Sequence, residues 1–328
     1  MKRKIIKQGH NTLTVTLPSN WVKNLNIQPG HEIEMIEKEN GLFLTTQKNN
    51  YLKRAEFDIT DLDIPTIWKY FMAVYREGYD EVLIKFKPGT SLKNPYKFLT
   101  MHRLDPKYQK EDERTVLSGI QRFVDRFIGY EVIEHGKDFV LVKDMAELTN
   151  REFDSSLRRV FLLIQQMCEE TLEAIKTGNL EGLIHIHDVD INLDKFHDYC
   201  IRVLNKTSNR ESRKNSLYFS TLYLLELLGD EFKNISTHLI HDFPKTNFKN
   251  IKKPVELVKD QFDNLYLLFY KFNKETVKKI AEIDKEIYFS VPEIYKKANE
   301  HEKEIFHHLR IISRFINALM ELRIEMEY

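Results

Sequence analysis

Cysteine is scarce: among 328 residues only Cys168 and Cys200 are of that type. Both fall in apolar stretches with helical spacing. They give no disulfide framework and are expected as packed thiols in a reducing compartment. An excess of charge of one sign is also missing, because 50 Lys+Arg balance 50 Asp+Glu. Such a chain is not basic throughout, so any DNA contact must come from a local patch. No apolar run approaches the ~20 residues that cross a bilayer. Met1-Lys2-Arg3-Lys4 leads into a short alternating segment and not into a secretory leader. The expectation is a cytoplasmic protein with no stable membrane insertion. One further absence is local. Nothing before Glu32 is acidic, whereas Lys2, Arg3, Lys4, Lys7 and Lys23 are basic.

What is present falls into three regimes, and the length allows two or three domains, each with its own core. Residues 1–48 are short, alternating and turn-rich. Thr12 to Leu17 alternates with period two, Pro18 opens a short helix over Ser19 to Asn24, and Pro29-Gly30 marks a turn. Glu32 to Glu37 reads as a strand, and Asn40-Gly41 is a hairpin signal before Leu42-Phe43-Leu44. Trp21 is expected in a core and not as a stacking platform.

Residues 49–148 mix types. Arg54–Thr60 and Glu81–Phe86 read as strands, Ile64–Glu77 and Thr115–Phe127 as helices, and Tyr130–Val142 as a hairpin turning at Gly136. A polar connection runs from Lys87 to Lys110. Gly78 and Gly129 are expected to end helices and redirect the chain. The economical solution is a small α/β unit with helices on one sheet face. It carries no phosphate-binding glycine loop, nucleophile elbow or Cys/His metal spacing. From about 149 to 328 the periodicity is helical, with helices predicted over 151–177, 179–206, 215–241, 252–273, 275–299 and 301–326 and a kink or break at Pro292. The fold class is therefore multi-domain α+β.

Two acidic pairs stand out: Asp190-Ile-Asn-Leu-Asp194 and Glu226-Leu-Leu-Gly-Asp230. Four-residue spacing puts each pair on one helix face, where like charges cost roughly 0.2–0.5 kcal/mol. Two such pairs on adjacent helices ask for a compensating cation. Carboxylate-only ligation suits a divalent or trivalent metal ion such as Fe, Mn, Zn or Mg. Gly229 inside a helix costs about 1 kcal/mol relative to Ala, which close helix approach or access for a ligand would explain. His187 and His197 share the stripe of Asp190 and Asp194 and read more simply as a polar rim.

These segments also resemble known families. Asp190 to Phe196 with Arg202, and Leu225 to Asp230 continuing to Asn234-Ile235, resemble the second and third helices of the three-helix repeat of the PhoU family. That resemblance implies a helical domain of two three-helix repeats over 149–328, with Asp190, Asp194, Glu226 and Asp230 as metal ligands. It further implies a phosphate uptake regulator that acts through a phosphate transporter or its signalling partner. In the second repeat, Arg310 and Arg314 stand where the first has acid, so one metal cluster is expected and not two.

Residues 1–48, with Leu17-Pro18-Ser19-Asn20-Trp21-Val22 and Ile27-Gln28-Pro29-Gly30-His31-Glu32, resemble the AbrB/MazE/SpoVT swapped-hairpin domain. This implies a homodimer that binds DNA, with Lys2, Arg3, Lys4 and Lys7 on phosphates and Asn11 nearby in the loop. Segments 73–84 and 127–134 resemble the connecting α/β region of archaeal-type fusions of these two families. The expected function is a dimeric DNA-binding transcriptional regulator with a metal-binding PhoU-like sensor. The alternative is a PhoU-type interaction protein that binds no DNA and restrains a transporter. An enzyme is not expected: a metal phosphatase or oxidase in a bundle typically needs Glu-x-x-His motifs facing a shared core, and the sequence lacks them in the required positions.

Overall fold

The computed structural model describes residues 2–38, 41–46, 52–94, 112–146, 150–206, 212–242 and 248–328. Met1–Leu52 and Lys53–Tyr328 form two compact units. In the first, β1 (Ile6–Gln8) and β2 (Thr12–Thr14) pair antiparallel, with Ile6 opposite Thr14. Gly9, at φ +73°, makes the turn between them, a backbone that glycine adopts without strain. β2 stops at Thr14, short of the expected Leu17, because its ladder partner reaches only to Ile6. Helix α1 (Ser19–Asn24) follows Pro18 as predicted. β3 (Ile33–Lys38) and β4 (Gly41–Thr46) form a second antiparallel pair. Asn40 of the expected turn lies outside the described residues.

The two hairpins are separate two-stranded sheets, a form that is marginal alone in water. None of the side chains described in this unit is buried. Trp21 is half-buried, short of the core position expected of it. Leu13, Met35 and Leu42 are each about two-thirds exposed, at 68%, 67% and 67%.

The second unit begins with an α/β layer. β5 (Arg54–Asp58), α2 (Ile64–Arg76) and β6 (Glu81–Lys85) make a parallel crossover. β7 (Ser91–Asn94) pairs with β8 (Asp112–Thr115), inside and just after the expected connection, whose residues 95–110 lie outside the described ones. α3 (Val116–Val124) precedes the predicted hairpin of β9 (Tyr130–His135) and β10 (Phe139–Asp144). The sheet order is β5-β6-β10-β9. Ile67, Phe71, Ile120 and Phe123 from the helices pack with Val82, Ile84, Val140 and Val142 from the sheet. Asp63 caps α2 by accepting from the Thr66 amide at 2.9 Å, and Pro65 sits in its first turn, where a missing N–H costs nothing.

Six helices follow among the described residues: α4 (Asn150–Thr177), α5 (Glu181–Lys206), α6 (Ser212–Asp242), α7 (Lys252–Tyr270), α8 (Lys274–Tyr295) and α9 (Glu300–Glu327). They share one apolar core, in which Cys168 and Cys200 are buried and form no disulfide. The bounds agree with the periodicity to within a few residues, except at Pro292. There α8 continues, and it ends only before the capping box of Asn299 and Glu302 that opens α9. Proline removes the hydrogen bond to the Tyr288 carbonyl, and Tyr288 is exposed, so water can replace it.

The division at Leu52/Lys53 falls close to the boundary expected after 48. The one expected after 148 separates two apolar cores but not two compact units. The join between those cores is α5. Arg202 is fully buried there, donating to the carbonyls of Tyr75 (2.6 Å) and Tyr79 (2.7 Å) and to Asp144. Its guanidinium lies 4.8 Å from the ring centroids of both Tyr75 and Tyr130. Lys206 adds bonds to Asp80 (2.6 Å) and Asp144 (2.9 Å). Gly78 follows the end of α2 at φ +80°, and a Cβ there would lie 2.4 Å from Lys206, so this approach requires glycine.

Candidate functional site

Two places carry the residues singled out by sequence. The first is the N-terminal hairpin. Lys2, Arg3 and Lys4 precede β1, Lys7 lies on it, and Asn11 sits in the turn after Gly9. All five are exposed. Lys7 pairs with Leu13 across the ladder, so a cation and an exposed leucine are neighbours on the hairpin. Such a cationic arm can contact phosphates, which positions a protein on DNA without reading sequence.

The second place is the face of α5 and α6. Their close packing follows from Gly229: a Cβ there would come within 2.9 Å of Leu193. Close approach, not ligand access, therefore accounts for that glycine. The helices bring Asp190, Asp194, Glu226 and Asp230 into one electrostatic group. Asp198, one turn beyond Asp194, joins it. Three cations meet these carboxylates. The Lys233 ammonium stands between Asp190, at 2.9 Å, and Asp230, which is closer still. Arg126, after α3, reaches Asp194 at 3.4 Å. Arg76, at the end of α2, holds Asp198 at 2.6 Å and Tyr223 at 3.1 Å. His197 is buried, with Nδ1 3.2 Å from Asp198 and its ring edge-on to Tyr223.

Burial pushes Asp190 above the usual carboxylate range, against the pull of Lys233. Asp194 is pushed well above it by loss of hydration and then by Asp190 and Asp198. Glu226 rises from 4.5 to about 7, first through burial and next through Asp230, with Arg76 and Lys233 opposing and Asp190 adding to the rise. Burial alone would lower Lys233, but Asp190 and Asp230 hold it above the ordinary lysine value.

Does this group suit a metal ion? One observation favours an added positive charge: Asp190 Oδ1 is buried without a hydrogen-bond partner. Two oppose a metal. Lys233 already occupies the place between Asp190 and Asp230, where its charge would repel a cation. Among the described residues no three His, Cys, Asp or Glu side chains converge as ligands. The residues as arranged do not fit a metal. Sequence reasoning missed Lys233, Arg76, Arg126 and Asp198. Lys233 and Asp198 left a signal, each standing one turn after an acid of the two pairs, Asp230 and Asp194.

The raised Glu226 predicts a pH dependence. A carboxyl raised in the folded chain holds its proton where the unfolded chain has lost it. Its contribution is thus fully present below about pH 4.5 and lost as pH rises through about 7. Melting temperature should fall between pH 5 and pH 8. Glu226→Gln should remove its share of that fall, the rest belonging to Asp190 and Asp194, and raise the melting temperature at pH 8, by about 2–4 °C for each kcal/mol recovered. Parallel melting curves for both chains across this range check it; identical slopes would exclude Glu226 as the source.

Comparison with known proteins is informative for the N-terminal unit. Residues 6–51 match the family described as antidote-toxin recognition MazE, bacterial antitoxin. This supports the AbrB/MazE-like reading of that unit and points to a DNA-binding regulator or an antitoxin-like role. Neither a curated protein nor a solved structure matches the chain.

Proposed function

We propose that the chain is a dimeric DNA-binding transcriptional regulator whose helical part is a PhoU-like sensor, set to control phosphate uptake. The observation that carries it is the N-terminal unit itself: a MazE-matching pair of hairpins with no buried side chain among the side chains described, fronted by a basic arm. A unit of this size with apolar side chains on its surface gains a core by interleaving with a second copy. Two copies then present two sets of Lys2, Arg3, Lys4 and Lys7 to phosphates, with Asn11 in the adjoining turns.

The phosphate reading rests on the PhoU-like order of the acidic helices. In this chain we assign the charge expected from a metal to Lys233, Arg126 and Arg76. The last two come from the α/β layer, so the acidic face doubles as the seat of that layer. A signal that loosens either arginine would shift the layer on the bundle. By linkage, any ligand that changes DNA affinity must have its own affinity changed by DNA to the same degree.

The test is DNA retention across a salt series. The intact chain should bind duplex DNA at low salt. Neutralising Arg3 and Lys4 should weaken binding on every sequence. It should also flatten the slope of log affinity against log salt by about 0.9 for each phosphate no longer neutralised. Removing residues 1–52 should abolish binding and lower the oligomeric state measured by light scattering. An intact dimer without DNA affinity would instead favour the interaction protein that restrains a transporter. An unchanged oligomeric state after truncation would remove the hairpin dimer.

A further inference from the structure

The third helix of each triplet carries the same pattern with opposite charge. Leu309-Arg310-Ile311-Ile312-Ser313-Arg314 on α9 repeats the spacing of Leu225-Glu226-Leu227-Leu228-Gly229-Asp230 on α6, with arginine at each acidic position. On the first triplet that face is covered. Arg76 and Arg126 of the α/β layer reach down to the carboxylates of α5, and α6 lies alongside. On the second triplet the face is open. A cleft of about 780 Å³ lies between α8 and α9, with Arg310 and Arg314 on its wall. Both arginines are exposed, and neither makes an ion pair or hydrogen bond with a described residue. Asp284, the carboxylate that lines the cleft with them, accepts from the Ser313 hydroxyl at 3.0 Å instead. Ile287 and Val291 are buried at the lining, while Tyr288 and Phe289 stand 72% and 64% exposed at its margin.

Each of these features has a physical cost that a partner would remove. Two cations one helical turn apart repel each other, by a few tenths of a kcal/mol. Adjacent aromatic rings left in water forgo their burial, and clustered exposed apolar side chains mark contact sites. Tyrosine, phenylalanine and arginine are also residue types enriched where proteins meet.

We infer that the α8–α9 cleft docks an acidic amphipathic helix of a partner protein. Carboxylates one turn apart on that helix pair with Arg310 and Arg314, and an apolar or aromatic side chain between them enters the cleft over Ile287 and Val291. The basis is charge complementarity together with the precedent inside the same chain, where arginines and carboxylates join the α/β layer to α5. Here no described carboxylate pairs with either arginine, which leaves both guanidinium groups available to carboxylates of a partner. The surface is independent of DNA binding by residues 1–52.

The experiment is selection of helical peptides from a displayed library on the full-length chain and, in parallel, on the double variant R310E/R314E. Both positions are exposed, so the variant should melt with the parent, which a melting curve verifies. The parent should enrich Asp or Glu pairs at four-residue spacing around Leu, Phe or Trp. Affinity for an enriched peptide, measured by fluorescence anisotropy, should fall about tenfold or more on the variant. The variant should in turn enrich Lys or Arg in place of the acids. Tyr288→Ala with Phe289→Ala should weaken the same peptide without reversing its charge preference. Absence of an acidic pattern, or the same peptides on both chains, overturns the inference. Displacement of the peptide by inorganic phosphate or ATP at sub-millimolar concentration overturns it too, by making the occupant a small anion.

Discussion

Arg202→Ala should destabilise the Lys53–Tyr328 unit by about 3–5 kcal/mol, the cost of breaking a buried ion pair from one side. The guanidinium is fully buried and serves two tyrosine carbonyls and Asp144 at once. Removing it strips those acceptors of their donor and opens a void between the Tyr75 and Tyr130 rings. Lys206 still holds Asp144, which moderates the loss. The effect should also change form. Arg202 joins two apolar cores, so the variant should unfold in two steps where the parent unfolds in one. In a Trp21→Phe background, urea denaturation followed by Trp68 fluorescence and by helical circular dichroism reads both at once, since Trp68 lies in the α/β core and the helix signal comes mainly from the bundle. The double variant Arg202→Ala with Asp144→Ala should lose less than the sum of the single losses. Coincident transitions with a loss under about 1 kcal/mol would show that the cores are joined elsewhere.

Lys233→Ala should be comparably severe at pH 8, again about 3–5 kcal/mol, because Asp190 is buried and loses its partner ammonium. It should also create a property that the parent lacks. With the ammonium gone, Asp190 and Asp230 face each other without a charge between them. Oxygen-only sites of this kind suit hard divalent ions. Millimolar Mg²⁺ or Mn²⁺ should then raise the melting temperature of the variant by mass action while leaving the parent unmoved. Lys233→Met, which fills the space without charge, separates the effect of packing from that of charge. A parent chain that melts higher with metal, or carries bound metal by elemental analysis after purification, would show that the lysine has not replaced one.

The helices were legible because their signals are local. Apolar periodicity acts within a turn or two, so each span could be read from neighbouring residues. The convergence of the acidic pairs was legible for the same reason, from helix spacing plus adjacency. What neutralises them was not. Arg76 and Arg126 come from elements distant in sequence, and only the packing of the α/β layer on α5 brings them to Asp198 and Asp194. Lys233 was visible beside Asp230 but reads in sequence as an ordinary surface pair; burial of Asp190 is what gives it weight. At Pro292 the helix does not break, because the carbonyl that proline leaves without a donor belongs to an exposed residue. The hairpins were legible as elements, while their lack of any buried residue among those described emerged only in three dimensions.

On the proposed dimer, the folding of the hairpin unit is tied to the abundance of the chain. A unit that takes its core from a second copy would be folded in proportion to how often copies meet, whereas Lys53–Tyr328 has its cores already. At low abundance the cell would hold a chain with a finished bundle and an N-terminal segment open to proteases. Cleavage there would release the bundle intact, able to engage a partner but detached from DNA. Expression level would then decide which of two outputs the same gene product delivers, with no ligand required.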